Sequence, residues 1–375
     1  MSRAGRGKRR GEGITAEAQP RTPEATEEAL EPEALLRVLA RSFAVSLRLL
    51  PPGLRDNFAR AYLFARAADT VVDTAAVAPE ARQPLLATLE EAARRLHGGD
   101  LIALEPAPLG PGGSPQERQL MARLPALAQW INELEVPARK RVGEVCTTLI
   151  GAMRQDLAQF GERPARIQAL ADEDALDDYL YGNAGCVGAY WARELATTSH
   201  RFTGLDVQSL EQAGIYLGKA LQRVNVLRDL AKDIRRGRCY LPETALSAVG
   251  MVPSDLLFPD MAGRMQPLLD AQIAAARADL AEGTAFFHHL PYHWVRRRAA
   301  AALPAVLAQR TLARIEAAPH RLLDAQDTIK VPRHEVYGLL LHLLTLPPTD
   351  RSLERMALGP HRRLQRRPDP LPGEG

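Results

Sequence analysis

With 375 residues, of which 46% are hydrophobic and only 5% aromatic, the chain can bury a substantial core, and this composition excludes global disorder. The formal net charge of +3 is small for this length, and no basic face recurs in the periodic regions, which argues against nucleic-acid binding. The apolar residues are mainly Ala and Leu, which favour helices over strands, so we expect an all-α, single-domain helical bundle.

Helical periodicity is nearly continuous between two segments that lack it. Residues 1–31 are rich in Arg, Gly, Glu and Pro and are predicted to be a disordered leader, and the Arg- and Pro-rich residues 347–375 a disordered tail. Residues 32–346 are predicted to form one helical domain with short connections, of which Leu104–Pro115 is expected to be a mobile surface loop. Helices are predicted at about 33–41, 54–74, 79–97, 115–133, 136–160, 174–197, 206–232, 255–285, 292–316 and 332–345.

The cysteines and the hydropathy pattern bear on the cellular compartment. Cys146, Cys186 and Cys239 form neither a zinc spacing nor a CxxC pair, so we expect reduced thiols. No segment approaches the ~20 apolar residues of a spanning helix, and the basic N-terminus lacks the apolar stretch of a secretory signal. We therefore expect a soluble, cytoplasmic protein whose basic leader adds a weak attraction to anionic lipid, favouring a peripheral position at the inner face of the membrane.

The first group of polar residues lies on a predicted helix. Steps of four, three and four residues place on one helical face the side chains of Tyr62, Arg66, Asp69 and Asp73. Two carboxylates one turn apart on an otherwise apolar helix repel each other, and their burial without a partner is costly, so a cation should lie there. Mg²⁺, which proteins hold with one or two carboxylates plus substrate phosphates, is the natural candidate. The alternative is that Arg66 merely pairs with Asp69 on a solvated face.

A second group of polar residues lies between Gly218 and Asp233. Two amides and two carboxylates share one predicted helical face: Gln222, Asn225, Asp229 and Asp233. Oxygen ligands and hydrogen-bonding groups of this kind suit Mg²⁺ and diphosphate, and do not suit zinc or copper. The neighbouring Arg228 can contact phosphate oxygens in a two-pronged fashion, and a basic turn follows at Arg235–Arg238. We predict that the two acidic helices face one another across the bundle lumen.

These two groups belong to a longer series of sequence blocks. The series comprises Arg41-Ser42-Phe43 before Leu49-Leu50-Pro51, Asp69-Thr-Val-Val-Asp73, Gly151-Ala-Met153-Arg-Gln-Asp156-Leu157, Tyr179-Leu-Tyr-Gly-Asn-Ala184-Gly185-Cys-Val187-Gly188, Asn225-Val-Leu-Arg-Asp229-Leu-Ala-Lys-Asp233 and Arg236-Gly237-Arg238-Cys-Tyr240-Leu241-Pro242. In their content and order, these blocks resemble the squalene/phytoene synthase family. The resemblance extends over about residues 40–245 and more weakly to about residue 345.

The resemblance implies the isoprenoid (terpenoid) synthase fold with a central active-site cavity, and a prenyltransferase that joins two prenyl diphosphates head to head. It implies that Mg²⁺, with Mn²⁺ as an alternative, is bound by Asp69, Asp73, Asn225, Asp229 and Asp233. It implies that diphosphate is bound by Arg41, Ser42, Arg66, Gln222, Arg228 and Arg238. Tyr62 and Tyr179 would lie near the reacting carbons and act in catalysis with Asp69 and Asp229.

Within this family, three alternatives stay open. The DTxxD form of the first motif, together with Arg41-Ser-Phe, favours the coupling of two farnesyl diphosphates to presqualene diphosphate and squalene, which requires NADPH. The Arg-Gly-Arg-x-Tyr-Leu-Pro turn is closer to phytoene synthases, which join two geranylgeranyl diphosphates. The third alternative is a non-catalytic scaffold of the same fold, although such a protein should have lost the four metal-binding aspartates.

A small-residue segment bears on the substrate as well. Asn183, where the family often has Val, is expected near the pocket wall, so the preferred chain length of the substrate stays open. Gly185 and Gly188 either permit close helix packing, which is the preferred interpretation, or line a tunnel for a prenyl chain.

Overall fold

The computed structural model describes residues 32–161, 166–197, 206–324 and 329–345, together with residues 349, 352 and 356. The predicted leader and all but these last three residues of the predicted tail lie outside the described residues, and so do the side chains of Arg41 and Ser42. The described residues belong to one compact unit, Glu31–Gly375. None of their helices is both long and apolar enough to cross a membrane.

The described part of the chain is almost entirely helical, which confirms the all-α prediction. Its α-helices are α1 (Pro32–Leu39), α2 (Arg41–Arg48), α3 (Pro52–Asp73), α4 (Pro79–Gly98), α5 (Pro115–Ala122), α6 (Leu124–Asn132), α7 (Val136–Phe160), α8 (Glu173–Leu180), α9 (Cys186–Thr197), α10 (Val207–Arg228), α11 (Leu230–Arg235), α12 (Glu243–Ala248), α13 (Ala262–Gly283), α14 (Ala285–His288), α15 (Val295–Ala317) and α16 (Arg333–Thr345). Short 3₁₀ segments lie at Pro253–Leu257, Pro259–Met261 and Pro319–Leu323, and a π-helical turn lies at Tyr181–Gly185.

Polar side chains fix the start of several helices. The Ser114 hydroxyl accepts a hydrogen bond from the backbone N–H of Glu117, whose carboxylate accepts one from the backbone N–H of Ser114, forming a capping box at α5. Asp172 and Asp206 cap α8 and α10 by accepting from the backbone N–H three residues later. Because α8 and α10 carry predicted site residues, these caps help to fix where those residues lie.

The core is built from the apolar faces of long helices. In α3, no surface is exposed at Leu63, Phe64, Ala67 and Val71, and burying each larger side chain contributes roughly 1.5–3 kcal/mol. Helices α3 and α4 pack against α7, whereas α10 packs against α9 and α13. Asp69 and Asp73 lie on the opposite side of α3 from this buried face.

Glycines allow α10 to approach the preceding helices with backbones in contact. A Cβ at Gly188 would lie 1.8 Å from the carbonyl oxygen of Gly214, and a Cβ at Gly218 would lie 2.2 Å from that of Ala184. The structure therefore assigns Gly188 to close helix packing, the preferred of the two interpretations. This contact brings the chain that follows Tyr179 against the helix that carries Gln222.

Two departures from the predicted elements concern the site. The helix predicted at 206–232 ends at Arg228, because Asp229 (φ −95°, ψ 7°) interrupts it and α11 begins afterwards. No strand was predicted, yet β1 (Gln168–Leu170) and β2 (Arg238–Pro242) form a short parallel pair in which Gln168 lies opposite Arg238. Gly237 at φ 82° makes the turn that leads into β2.

Other segments were predicted less completely or differently. Helices α2 and α12 were not predicted. The segment Leu104–Pro115, predicted to be a loop, is not helical before Pro115, where α5 begins. The backbone N–H groups of Ala107 and Gly110 donate to the carbonyls of Met121 and Ala76. The three cysteines are buried and unbridged, as their spacing predicts, and burial raises the pKa of each thiol.

Candidate active site

A cavity of about 240 Å³ is lined by side chains of α3, α7, α8, α10, α11 and β2, and by the Tyr181–Gly185 turn. Its carboxylates are Asp69, Asp73, Asp156, Asp229 and Asp233, and its cationic side chains are Arg228, Lys232, Arg236 and Arg238. Apolar side chains contribute less, namely Val72, Met153 and Val226. This mixture of anionic and cationic groups can hold a metal cation and a phosphate group side by side.

Asp69 and Asp73 reach the cavity from the last turns of α3. Arg66 pairs with Asp69 and lies 2.6 Å from the carboxylate of Glu117. Burial and the neighbouring Asp73 raise the pKa of Asp69 to about 6, although Arg66 opposes the shift. The Arg66–Asp69 ion pair therefore exists, but it does not neutralise the acidic pair.

Asn225, Asp229 and Asp233 line the same cavity despite the interruption between α10 and α11. Arg228 pairs with Asp229 through two N–O contacts of 3.1 and 2.5 Å. Burial and the adjacent Asp229 raise the pKa of Asp233 to about 6, and Asp73 adds to the shift. Because Asp73 belongs to α3, the two acidic helices lie close enough for their carboxylates to interact.

The donor set can be tested against Mg²⁺. Within the described ranges, no group of three or more His, Cys, Asp or Glu side chains forms a preformed metal site. Mg²⁺ commonly uses only one or two carboxylates and completes its shell with substrate phosphates and water. Oxygen donors from two interacting acidic pairs, each with one carboxyl whose pKa is about 6, fit a metal shared with a phosphate ligand. The residues that would hold it are Asp69, Asp73, Asn225, Asp229 and Asp233.

Tyr179, at the end of α8, lies in the cavity wall within a hydrogen-bonded chain. Its hydroxyl accepts from the Gln222 amide at 3.3 Å, and the Gln222 carbonyl oxygen accepts from the Asn225 amide at 3.3 Å. The Tyr179 ring stacks on Tyr240 with 4.3 Å between centroids. Burial raises the pKa of Tyr179, so the group is a neutral phenol that can donate a hydrogen bond.

The π-helical turn after Tyr179 carries Asn183 into the cavity wall, where the sequence places it. The Asn183 amide donates to the carbonyl oxygen of Tyr179 at 2.9 Å. Single π turns inside α-helices are rare and are often found at functional sites. Here Tyr179 at the end of α8 and Asn183 within the turn, four residues apart, both line the cavity.

Strand β2 supplies Arg238 and Tyr240, because alternate residues of a strand point to the same side. Arg238 lies 2.8 Å from Asp156 of α7 and 3.9 Å from Asp73. Sequence reasoning assigned Arg238 to diphosphate but no individual role to four other charged or aromatic lining residues, namely Asp156, Lys232, Tyr240 and Arg236, the last of which it named only as part of a basic turn. A signal was present, since all four fall within the blocks that carry the family resemblance.

Four predicted residues do not line the cavity or are not described in full. The Tyr62 hydroxyl donates to the carbonyl oxygen of Leu39 at 2.8 Å. Arg66 meets the cavity only through Asp69. The side chains of Arg41 and Ser42 lie outside the described part of the chain. The roles of these four residues in substrate binding and catalysis stay predictions.

Comparison with known proteins adds independent information. The family model described as squalene/phytoene synthase matches residues 36–335. A 15-cis-phytoene synthase from a Paracoccus species is 30% identical over 249 residues, which cover 65% of this chain and 70% of that protein. The squalene synthase of Schizosaccharomyces pombe is 24% identical over 313 residues, which cover 83% of this chain and 64% of that protein.

A solved structure shows the same fold. The complex of TcSQS with the ligand E5700 matches with a TM-score of 0.67 at 19% identity, covering 87% of this chain and 96% of that one.

Proposed function

Since this chain belongs to the squalene/phytoene synthase family, whose members are prenyltransferases, we propose that it condenses two prenyl diphosphates head to head in the cavity described above. The observation that carries the proposal is the meeting of two aspartate pairs and several cationic side chains around one cavity. The aspartates would bind the metal, and the arginines would bind the diphosphates.

The side chains suggest a division of labour. Bound Mg²⁺ would stabilise the negative charge that builds up on the departing diphosphate. Arg228 and Arg238, both at the cavity wall, would bind diphosphate oxygens through charge-assisted hydrogen bonds. Departure of the diphosphate leaves an allylic cation, which the double bond of the second substrate attacks. Tyr179 would lie near the reacting carbons as a neutral phenol, with its hydroxyl oriented by Gln222.

We propose squalene as the product, formed from two farnesyl diphosphates through presqualene diphosphate, with NADPH as the reductant. The DTxxD motif at Asp69–Asp73 supports this choice, and so does the extent of the match to the yeast squalene synthase, which covers 83% of this chain. The alternative product is phytoene from two geranylgeranyl diphosphates. It is favoured by the Arg236–Pro242 turn and by the 30% identity to the Paracoccus phytoene synthase.

Product analysis tests both proposals. Purified protein is incubated with farnesyl or geranylgeranyl diphosphate and Mg²⁺, with and without NADPH, and the extracted lipids are identified by mass spectrometry. We expect farnesyl diphosphate to give presqualene diphosphate without NADPH and squalene with it. Phytoene formed from geranylgeranyl diphosphate at a higher kcat/KM would favour the alternative, and consumption of neither substrate would contradict the proposed function.

We also propose that the protein associates peripherally with an anionic membrane surface. Helix α16 exposes an apolar stripe made of Tyr337, Leu341 and Leu344, which are 61%, 63% and 37% exposed and share one helical face. Arg333, four residues before Tyr337 on the same helix, is exposed as well, and the exposed Arg310 of α15 pairs with Glu335 of α16. An apolar stripe with basic residues beside it is typical of helices that lie in the lipid headgroup region.

A further inference from the structure

The cavity contains one carboxylate that belongs to neither aspartate pair. Asp156 lies on α7 with its side chain 8% exposed, and its Oδ2 accepts a hydrogen bond from Nη1 of Arg238 at 2.8 Å. Its Oδ1 is buried and has no hydrogen-bond partner among the described residues. A buried carboxylate whose hydrogen-bonding capacity is only partly used is costly, so its place at the cavity wall calls for an explanation.

Arg238 lies between this carboxylate and the metal-binding pair. Its side chain is 13% exposed, and its Nη1 is 2.8 Å from Asp156 but 3.9 Å from Asp73. Asp73 is the more exposed of the two, at 42%. Because charges attract more strongly where water is excluded, Asp156 dominates the orientation of the guanidinium. The hydrogen bond to Asp156 uses one of five N–H donors, and a guanidinium held in this way can direct others at a phosphate.

The same carboxylate reaches the aromatic wall of the cavity. The Tyr240 hydroxyl interacts with Asp156, and the Tyr240 ring stacks on Tyr179 with an interplanar angle of 23°. Phe160 packs edge-on against Tyr240 from the other side, with 5.4 Å between ring centroids. Asp156 therefore accepts a hydrogen bond from one of the two β2 side chains that face the cavity and interacts electrostatically with the other.

We propose that Asp156 is a positioning residue, which orients Arg238 towards a bound diphosphate and holds Tyr240 against Tyr179. This inference rests on the proposed function, because it assigns to Arg238 a diphosphate ligand. A pair of residues that positions a ligand-binding group differs from a purely structural ion pair in one respect. A structural pair stabilises the fold, whereas a positioning pair also determines how tightly the cavity binds diphosphate.

The test measures binding of inorganic diphosphate to the full-length protein by isothermal titration calorimetry with Mg²⁺ present, together with the KM for the prenyl diphosphate. Asp156→Asn keeps the shape of the side chain and removes its charge. We expect it to weaken diphosphate binding and raise KM by about 10- to 100-fold, the usual effect of losing a residue that orients a ligand-binding group. In Asp156→Asn/Arg238→Gln, the loss of diphosphate affinity should equal that of Arg238→Gln alone, because Asp156 acts on the bound diphosphate through Arg238.

Glu194→Gln is the matched control. Glu194 is a fully buried carboxylate on α9 that accepts from Arg141 at 2.6 Å and lies outside the cavity lining. Its neutralisation should lower the melting temperature, as loss of a buried ion pair does, and leave diphosphate affinity within about twofold of the wild type. Equal losses of diphosphate affinity in Asp156→Asn and Glu194→Gln would overturn the proposal, because a general loss of stability would then explain both.

Asp156→Glu provides a second test of the proposal if Asp156→Asn does not fold. It retains the charge and displaces the carboxylate by one methylene, so the ion pair can persist while the guanidinium is redirected. We expect a near-normal melting temperature with weakened diphosphate binding. Normal diphosphate affinity in a folded Asp156→Asn or Asp156→Glu, or losses that multiply in the double variant, would overturn the positioning role alone. A wild-type protein that neither binds diphosphate nor turns over prenyl diphosphates would overturn the proposed function as well.

Discussion

At the scale of single residues, aspartates with the same spacing lie in different surroundings. Among acidic pairs one turn apart, Asp69 and Asp73 line the cavity, whereas Asp174 and Asp178 of α8 are exposed at the surface. Both pairs have the same spacing in the sequence. The difference is the surroundings, since the first pair lies beside apolar neighbours and opposite a second acidic pair, and the other lies near a helix start.

The aspartates of the cavity and the exposed acidic pair of α8 allow a matched test of the metal proposal. We predict that Asp69→Asn and Asp229→Asn each lower kcat/KM by about 100-fold or more, the scale of losing one group that stabilises developing charge. Asp178→Asn, on the exposed pair, should leave activity unchanged within about twofold. Steady-state kinetics at several Mg²⁺ concentrations would check this. Retained activity in Asp69→Asn or Asp229→Asn would exclude that residue as a metal ligand.

Asp233 provides a prediction about stability in the absence of metal. Its pKa is raised from 3.8 to about 6 by burial and by Asp229. An acid with a raised pKa in the folded state stabilises the fold while it is protonated, and this contribution is lost as the pH rises from about 4 through 6. We therefore expect Asp233→Asn to increase the free energy of unfolding in EDTA, by at most about 3 kcal/mol above pH 6 and by less near pH 4.

Urea unfolding of the wild type and of Asp233→Asn, between about pH 4 and pH 8 in EDTA, measures the difference between their free energies of unfolding. A gain that does not depend on pH, or a loss of stability above pH 6, would show that burial of the Asp233 carboxylate and its repulsion by Asp229 do not govern the stability of the metal-free cavity.

At the scale of elements, short interruptions of the helical structure lie around the cavity. Asp229 separates α10 from α11, the π turn at Tyr181–Gly185 follows Tyr179, and β2 delivers Arg238 and Tyr240. The long helices could be predicted because apolar residues recur at the helical period over many turns. These interruptions could not, because each involves one to five residues and depends on partners distant in the sequence.

The crossing of α9 and α10 depends on a close approach of the two backbones. A Cβ at Gly188 would lie 1.8 Å from the Gly214 carbonyl oxygen. We predict that Gly188→Ala lowers the free energy of unfolding by about 1–3 kcal/mol or more, because the two backbones must separate. The matched control is Gly338→Ala on α16, where a Cβ would meet no atom within 4 Å. This control should raise stability by about 0.5–1 kcal/mol, because alanine is the better helix former.

Chemical denaturation of the two glycine variants distinguishes a close crossing from an ordinary helix contact. Equal changes in the free energy of unfolding for Gly188→Ala and Gly338→Ala would contradict the proposed backbone contact. Gly188→Ala should also reduce diphosphate affinity, since α10 carries Gln222 and Asn225 into the cavity.

At the scale of the whole molecule, the apolar stripe on α16 leads to a prediction about membranes. The wild-type protein should co-sediment with phosphatidylglycerol-containing vesicles more than with phosphatidylcholine vesicles. Tyr337→Ser/Leu341→Ser should reduce this binding several-fold, because it removes apolar surface available to insert between headgroups. The matched control is Leu101→Ser/Val136→Ser, which changes apolar side chains of similar exposure elsewhere, 56% and 46%. Equal binding by both double variants would contradict a membrane role for α16.

The sequence by itself determined the all-α class, the approximate limits of the long helices and the residues of both acidic pairs, because these depend on local periodicity and on residue type. Its prediction that the two acidic helices face one another agrees with the shared cavity. Only the tertiary structure decided that Asp156 of α7 and Tyr240 of β2 line the same cavity as the two acidic helices. The contact between Asp156 and Arg238 of β2 links residues about 80 apart in the sequence, which no local pattern relates. The acidic pair in the cavity and its look-alike on α8, which sequence reasoning takes for a helix start, lie in different surroundings in the structure. Burial and neighbouring charge, which exist only in the folded chain, distinguish the two.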